Sequence, residues 1–400
     1  MFPKLPDEAL VADDFDPVSP QAQRDPHTVY RGLRGSCPIA HSNRWGGFWA
    51  LSRYDDVVDV TRRHEEFVNS VQNVVPAVTT TGRRPPLHLD PPEHTLWRKA
   101  MSAPFKNRSI SELEPTARSF TVELLTPLLE RGRGDLVSEV AATLPVLVLC
   151  VFLNAPEDTA TQIRELSDRF LRAFQTRDAA ALEGESRRLY ALAQRILEAR
   201  RHHPLDPERD VASALLAMRV DGKPVSEELL QGAVRQLLIA GHVAVTMMMG
   251  SCARHLAVHS DLQQELRRRP SAIPAAVEEL LRLYTPNQGF CRTAARDVEI
   301  LGKVVHPREP IVLLYPSANR DEAKFEAPDD FVLDRPVKHL AFGNGVHKCP
   351  GEQLARLELR VFLQELLDRT AQFELDGPVE FAPWPEYGPK SLPLRVEPAR

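Results

Sequence analysis

The chain of 400 residues has only five cysteines, Cys37, Cys150, Cys252, Cys291 and Cys349, with no CxxC pair and no close-spaced framework among them. That scarcity excludes a disulfide-stapled scaffold and an iron–sulfur cysteine set, and it fits reduced thiols in a cytoplasmic protein. An excess of one charge is also missing, with 50 Lys and Arg against 55 Asp and Glu, so composition offers no case for nucleic acid. The short runs Arg200-Arg-His-His203 and Arg267-Arg-Arg269 each lead into proline and read as solvated loops. No apolar run reaches the about 20 residues that a membrane span needs. The longest, Val140 to Leu153, is interrupted by Pro145. Residues 1–20 are rich in Asp and Pro and lack the basic and apolar regions of a secretory signal. No internal repeat or low-complexity linker divides the chain, so residues 1–400 read as one domain without a membrane anchor.

Helical patterning dominates what remains. Tyr54 to Arg62, Ile110 to Glu198 with short loops, Ser260 to Arg269 and Pro274 to Leu283 carry apolar residues at helical spacing. Ser226 is a suitable N-cap, with Glu227 and Glu228 in the first turn, and from there the pattern runs without proline to about His259. An unbroken helix over 226–259 would be about 50 Å long and would form a central spine. Short strands are expected at Phe48 to Tyr54, Val298 to Val305 and Pro310 to Tyr315. The fold class is therefore mainly α with small β-sheets.

The most informative stretch is Phe342-Gly-Asn-Gly-Val-His-Lys-Cys-Pro-Gly351, followed at once by an amphipathic helical pattern from Glu352 to Leu367. Cys349 is thereby placed just ahead of a helix N-terminus, whose unpaired amides favour an ionised sulfur and lower the thiol pKa. Gly343, Gly345 and Gly351 permit positive φ and a close backbone approach to a flat cofactor. His347 stands where it could bond a carboxylate at that cofactor's edge. Glu279-Leu-Leu-Arg282 places opposite charges on one face of a helix. His94 and Arg98 share another helix face, and Arg292 follows on an extended segment.

The cysteine loop is similar, residue by residue, to the FGxGxHxCxG signature of the cytochrome P450 monooxygenases. The resemblance covers essentially the whole chain and implies the P450 fold, with a long central helix over a heme b (iron protoporphyrin IX) whose axial ligand is Cys349. Glu279 and Arg282 resemble the family's ExxR pair, for which Arg335 is the expected further partner. His94 and Arg98 match its HxxxR motif, and Arg292 its propionate-binding arginine. With His347, four basic groups would meet two propionates, while Phe342 and Gly351 complete the loop around the cofactor.

The spine departs from the family. Ala240-Gly-His-Val-Ala-Val-Thr246 lines up with AGxDT, in which glycine allows a helix distortion and an acid–alcohol pair relays protons. Here Val243 and Ala244 replace that pair beside Gly241. Thr246 is turned by about 200° from the alcohol position, and His242 points off the same face. The shortfall is expected to be met by ordered water, by a polar group of the substrate, or by peroxide that brings oxygen already reduced, with water or substrate favoured. The substrate pocket is expected from Val71 to Arg84, Gly241, Ala244, Val245, the segment holding Asn287, Gln288 and Phe290, and the turn holding Trp384 and Tyr387.

What the resemblance implies is a monomeric cytoplasmic enzyme of secondary metabolism. It would use dioxygen and electrons from a separate ferredoxin and ferredoxin reductase to hydroxylate, couple or cyclise a mid-sized organic molecule. Lys99, Lys106, Arg108, Lys348, Arg356 and Arg360 would offer the ferredoxin a basic face. Two rivals stay open: a peroxide-driven heme-thiolate enzyme, and a catalytically silent scaffold of the same fold.

Overall fold

A computed structural model describes residues 15–78, 82–106, 110–156, 158–336 and 338–399. Residues 1–14 of the N-terminal segment, 79–81 of the expected pocket segment and Arg108 lie outside them.

Two kinds of layer meet. A five-stranded sheet runs in the order Ile39–Ser42, Phe48–Leu51, Pro310–Leu313, Cys291–Ala294, Phe67–Val68. Phe48–Leu51 and Pro310–Leu313 are parallel and the other neighbours antiparallel. Alternation along the strands sends Ile39, Leu51, Ile311 and Leu313 into one apolar cluster. Ala40, Ala50, Val312 and Cys291 enter another on the opposite face, so the sheet is covered on both sides. The hairpin Val298–Ile300 to Lys303–Val305 turns at Leu301 and Gly302, both with positive φ. The remaining bulk is a helical core that gathers side chains from Leu89 to Val396.

The spine lies in that core as two helices, Glu227–Ala240 and Val243–Ala257, and is not the single unbroken helix that its periodicity suggests. Gly241 is the cause. A Cβ there would lie 2.7 Å from Leu149 Cδ1 and 2.8 Å from the Leu237 carbonyl oxygen, so the neighbouring helix Leu144–Phe152 can press against the backbone only at a glycine. His242 leaves helical geometry (φ −134, ψ −36), its amide reaches the Ile239 carbonyl at a stretched 3.5 Å, and regular bonding resumes at Thr246 N–H to His242 O. The outer half packs on Thr159–Thr176 and Ala179–His202. The inner half packs on Ile273–Leu283 and Glu352–Arg369.

Val140 to Leu153 is not the most membrane-like stretch. Glu227–Ala257, 31 residues containing an 18-residue window of mean hydropathy 1.4, is long and apolar enough by length and composition to cross a membrane. The core helix of a soluble protein meets the same criterion, and here Arg235 is fully buried within it. The arginine runs are also not solvated loops. Arg200 is buried and paired with Asp210 at 3.1 Å, and Arg267 donates to the carbonyls of Leu367 and Thr370; they close the helices Ala179–His202 and Ser260–Arg268.

One buried ion cluster ties the helical layer to the loops before the cysteine. On helix Ile273–Leu283, Glu279 accepts two bonds from Arg282, at 2.8 and 2.7 Å. It also accepts from Arg335 Nε at 2.9 Å and from the Val332 amide at 2.9 Å. The spare guanidinium donors reach the carbonyls of Asn319, Pro328 and Asp330 from Arg282, and those of Glu326 and Ala327 from Arg335. The three side chains are 2%, 1% and 7% exposed, so neither arginine has water as a substitute partner. Glu279→Gln would strand two buried cations and should lower the unfolding free energy by about 3–5 kcal/mol, measurable by urea denaturation. A loss below about 0.5 kcal/mol would mean that the cluster does not hold the segment.

Candidate active site

The cysteine loop is built by close approaches. The Cys349 amide donates to the Phe342 carbonyl at 2.9 Å, closing the loop. Gly343 and Gly345 take φ of 70° and 71°, and a Cβ on Gly345 would come within 2.2 Å of the Thr61 carbonyl oxygen. The loop therefore rests directly on helix Tyr54–Arg62, with Asn344 Nδ2 donating to Thr61 Oγ1. Gly351 differs from expectation: its φ is −86°, and it serves as the N-cap of Glu352–Arg369. Phe342 lies under the Arg356 guanidinium, 4.6 Å from the ring centroid. Arg356 is itself held by Glu278 at 2.6 Å and Glu352 at 2.7 Å.

The sulfur does not behave as its place ahead of a helix suggests. Burial dominates and raises the Cys349 thiol pKa, while the Gly351 amide and the nearby Arg98 charge pull against it. Helix-end amides alone do not ionise this thiol. A bound cation would, because coordination deprotonates a thiol outright.

Four basic side chains converge beside the loop. His94 and Arg98 come from helix Glu93–Met101, Arg292 from strand Cys291–Ala294 and His347 from the loop. The rings of His94 and His347 lie 4.3 Å apart, and Arg98 donates to the Lys348 carbonyl at 2.8 Å. His347 feels the charges of both Arg292 and Arg98. Burial, then His347 and Arg98, push His94 down to about 4. Both ring nitrogens of His94 and Nε2 of His347 are buried without a hydrogen-bond partner. The nearest carboxylate, Asp90, is 3.9 Å from His347 Nε2 and is engaged by the amides of Asn69 and Ser70. Buried ring nitrogens without a hydrogen-bond partner, gathered beside two guanidiniums, suit a ligand carrying carboxylates, so these residues fit the propionate edge of a heme.

On the spine, Ala240 is exposed and Gly241, Val243, Ala244 and Met247 are half-buried, whereas Val245, Thr246, Met248 and Met249 are buried. Positions 240, 243, 244 and 247 share one helix face. Neither polar neighbour on the spine faces it: His242 bonds Ser167 Oγ at 2.9 Å, and Thr246 Oγ1 donates to the Ala141 carbonyl at 3.0 Å.

The chain belongs to the cytochrome P450 family. The family's profile matches residues 149–389. Cytochrome P450 109 of Bacillus spizizenii is 31% identical over 93% of this chain and 92% of its own length. The mycinamicin IV hydroxylase/epoxidase of Micromonospora griseorubida is 33% identical over 86% of this chain and 89% of its own. The solved structure of cytochrome P450 CYP109Q5 from Chondromyces apiculatus superposes with a TM-score of 0.85 at 31% identity, covering 95% of this chain and 97% of that one. The fold is the P450 fold, the cofactor is heme and the activity is that of a monooxygenase.

The expected pocket residues divide between the packed core and the lining of a cavity. Val245 is 8% exposed and belongs to the helical core. Gln288, Trp384 and Tyr387 line an outer pocket of about 570 Å³ with Pro17, Pro20 and Gln23. Trp384 is fixed there by Nε1 donating to the Val75 carbonyl at 2.7 Å, and Gln288 by the Tyr30 hydroxyl. Asn287 and Phe290 stay half-buried. Ala240 and Met247 extend the face of Val243 and Ala244 by the i, i+3, i+4 series, and Glu386 adds a carboxyl beside Asn287. Glu386 pairs with Asn287 across an isolated bridge, and burial pushes its carboxyl up to about 7; nothing in Trp384-Pro-Glu-Tyr-Gly388 marks it.

The basic face is smaller than expected. Arg356 and Arg360 are spent on Glu278, Glu352 and Glu114, Lys348 pairs with Glu352 and Lys106 with Glu208, and Lys99 is exposed.

Glu278 gives this brace an acid limit. Burial raises its pKa, but hydrogen bonds from His339 and Arg356 outweigh that and hold it at about 2, against 4.5 ordinarily. A depressed carboxylate contributes stability above the unfolded value, and that contribution is lost as pH falls through the folded one. Between pH 4.5 and 2 the stability of Glu278→Gln should therefore fall less steeply than that of the parent. Parallel slopes in acid denaturation would refute the coupling.

Proposed function

We propose that Cys349 is the axial thiolate of the heme, with His94, Arg98, Arg292 and His347 receiving its propionates. The enzyme is then a cytoplasmic P450 that draws electrons from a ferredoxin and its reductase. It oxidises a mid-sized organic molecule by hydroxylation, coupling or ring closure. The observation that carries this reading is the convergence of four basic groups, three of their ring nitrogens buried and unpartnered, beside a glycine-shaped loop that ends in a buried cysteine. Relatives that tailor natural products, such as the mycinamicin IV hydroxylase/epoxidase, support a role in secondary metabolism.

Bound heme would supply the activation of dioxygen and the transfer of one oxygen atom. The chain's own residues bind and orient it. Arg98 bridges the cysteine loop and the His94 helix, Phe342 is stacked under Arg356, and the glycines let the loop backbone come close. On the other side Gly241, Val243 and Ala244 give an apolar surface that moves no proton. His242, pushed by burial down to about 4 and bonded to Ser167, stays neutral and turned away. Protons therefore reach the oxygen through water or through a polar group of the substrate. Val243 and Ala244 also favour a second reading, a peroxide-driven enzyme, since peroxide brings oxygen already reduced.

The heme-loaded protein, reduced by an acidic ferredoxin and exposed to carbon monoxide, should show a strongly red-shifted Soret band that Cys349→His abolishes. The reduction should slow as salt screens the exposed Lys99 face. Correctly folded, heme-loaded protein without that band would end the thiolate reading.

With no relay to disrupt, Ala244→Thr should leave the product spectrum unchanged. Without substrate, electrons should run to hydrogen peroxide. Tight coupling in substrate-free turnover would contradict the water-or-substrate route, whereas full turnover with peroxide and no ferredoxin would favour the second reading.

A further inference from the structure

A second group of unmatched cations lies on the outer half of the spine, apart from the propionate residues. Arg235, on helix Glu227–Ala240, is 0% exposed, and none of its three guanidinium nitrogens has a hydrogen-bond partner. Its guanidinium carbon sits 4.8 Å from the ring centroid of Phe170, on helix Thr159–Thr176. Arg84 is 6% exposed; its Nε is unpartnered, and its Nη2 meets only His88 Nε2 at 2.9 Å. That histidine is a neutral acceptor, since burial, then Arg84 and Arg235, push it down to about 3. The Tyr190 hydroxyl, from helix Ala179–His202, is buried and unpartnered as well.

The arrangement is built. Gly232, one turn before Arg235, lets the backbone of Arg83 lie on the spine so closely that a Cβ would be 2.0 Å from the Arg83 carbonyl oxygen. This contact carries Arg84 to the spine, where it and Arg235 feel each other's charge. Burial and that repulsion push Arg235 down to about 9, so it remains a cation at neutral pH. The surrounding charges do not compensate. Arg83 turns out to Glu93 at 3.2 Å. Glu228 is exposed; it acts electrostatically on Tyr190 but bonds neither guanidinium.

Arg235 and the Tyr190 hydroxyl lack any acceptor, Arg84 has only a neutral histidine, and a buried cation without counter-charge is costly. We propose that Arg84, Arg235 and Tyr190 form an anion subsite that takes the acidic group of an elongated, mostly apolar organic acid, the substrate of this P450. The inference rests on the monooxygenase reading and names the substrate class for it. Arg235 precedes Val243 by eight residues across the break at Gly241 and His242, so the acidic group and the oxidised carbon belong to opposite halves of the spine. Phe170 and Tyr190 bound the subsite from the helices Thr159–Thr176 and Ala179–His202.

The test is calorimetric binding to the heme-loaded protein, with three matched probes: dodecanoic acid, a steroid carboxylic acid and an aryl-alkanoic acid, each beside its methyl ester. At least one acid should bind about tenfold or more tightly than its ester, and Arg235→Met and Arg84→Met should each reduce that preference to about twofold while leaving ester affinity in place. Without ligand, Arg235→Met should melt at the same or a higher temperature, because an apolar side chain of similar length replaces an uncompensated charge. Equal binding of acid and ester in all three pairs, a preference kept in both variants, or a lower ligand-free melting temperature for Arg235→Met would overturn the proposal. Inorganic phosphate that raises the parent's melting temperature but not the variant's, with no preference for any organic acid, would assign the site to a free anion and also overturn it. Arginine-dependent acid binding by protein lacking the red-shifted carbon monoxide band would instead sink the monooxygenase reading and leave the subsite standing.

Discussion

The structure depends on a carboxylate that cannot leave its two arginines. Glu279 is buried on its helix with Arg282 and Arg335, and the donors left over are all directed to backbone carbonyls between Asn319 and Asp330. A segment with little regular secondary structure is thus held by charge geometry. It leads directly to the loop that carries Cys349. Asn319 extends the same connection: its Oδ1 accepts from the Leu340 amide at 2.7 Å, two residues before Phe342. The position of Cys349 is set through these bonds as much as through the helix that follows it.

Charge is balanced on that side and unbalanced at two other places. Glu279, Glu278 and Glu352 answer Arg282, Arg335 and Arg356, whereas the His94–His347 group buries ring nitrogens without a partner and no carboxylate bonds the Arg84–Arg235 pair. Folding tolerates unsatisfied buried donors and uncompensated cations poorly, so their survival indicates a requirement that folding does not supply. On the proposed reading, a cofactor with two carboxylates meets it for the first group.

Much of this was legible in the sequence where local rules suffice. Tyr54–Arg62 begins and ends where periodicity and its two first-turn aspartates place it, and the loop from Phe342 to Gly351 declared its chemistry by residue type and spacing. Features set by tertiary contact were not legible. The spine reads as one helix because only Leu149, distant in sequence, makes Gly241 a break. The pKa of Cys349 was misjudged because the helix-end effect is local and visible, while burial is not. Gln288 and Trp384 are placed by hydrogen bonds to Tyr30 and Val75, far off in sequence, and Arg235 looks like one more charge on an amphipathic helix until Phe170 and Tyr190 close over it.

The break at Gly241 and His242 owes nothing to the two residues after it. Leu149 presses on the glycine and His242 is bonded to Ser167, contacts made by Gly241 and His242 themselves. Backbone shape and side-chain chemistry are thereby separable at this point of the chain. On the proposed reading, residues 243 and 244 could be exchanged without rebuilding the scaffold, and the proton supply would be free to follow whatever the substrate provides.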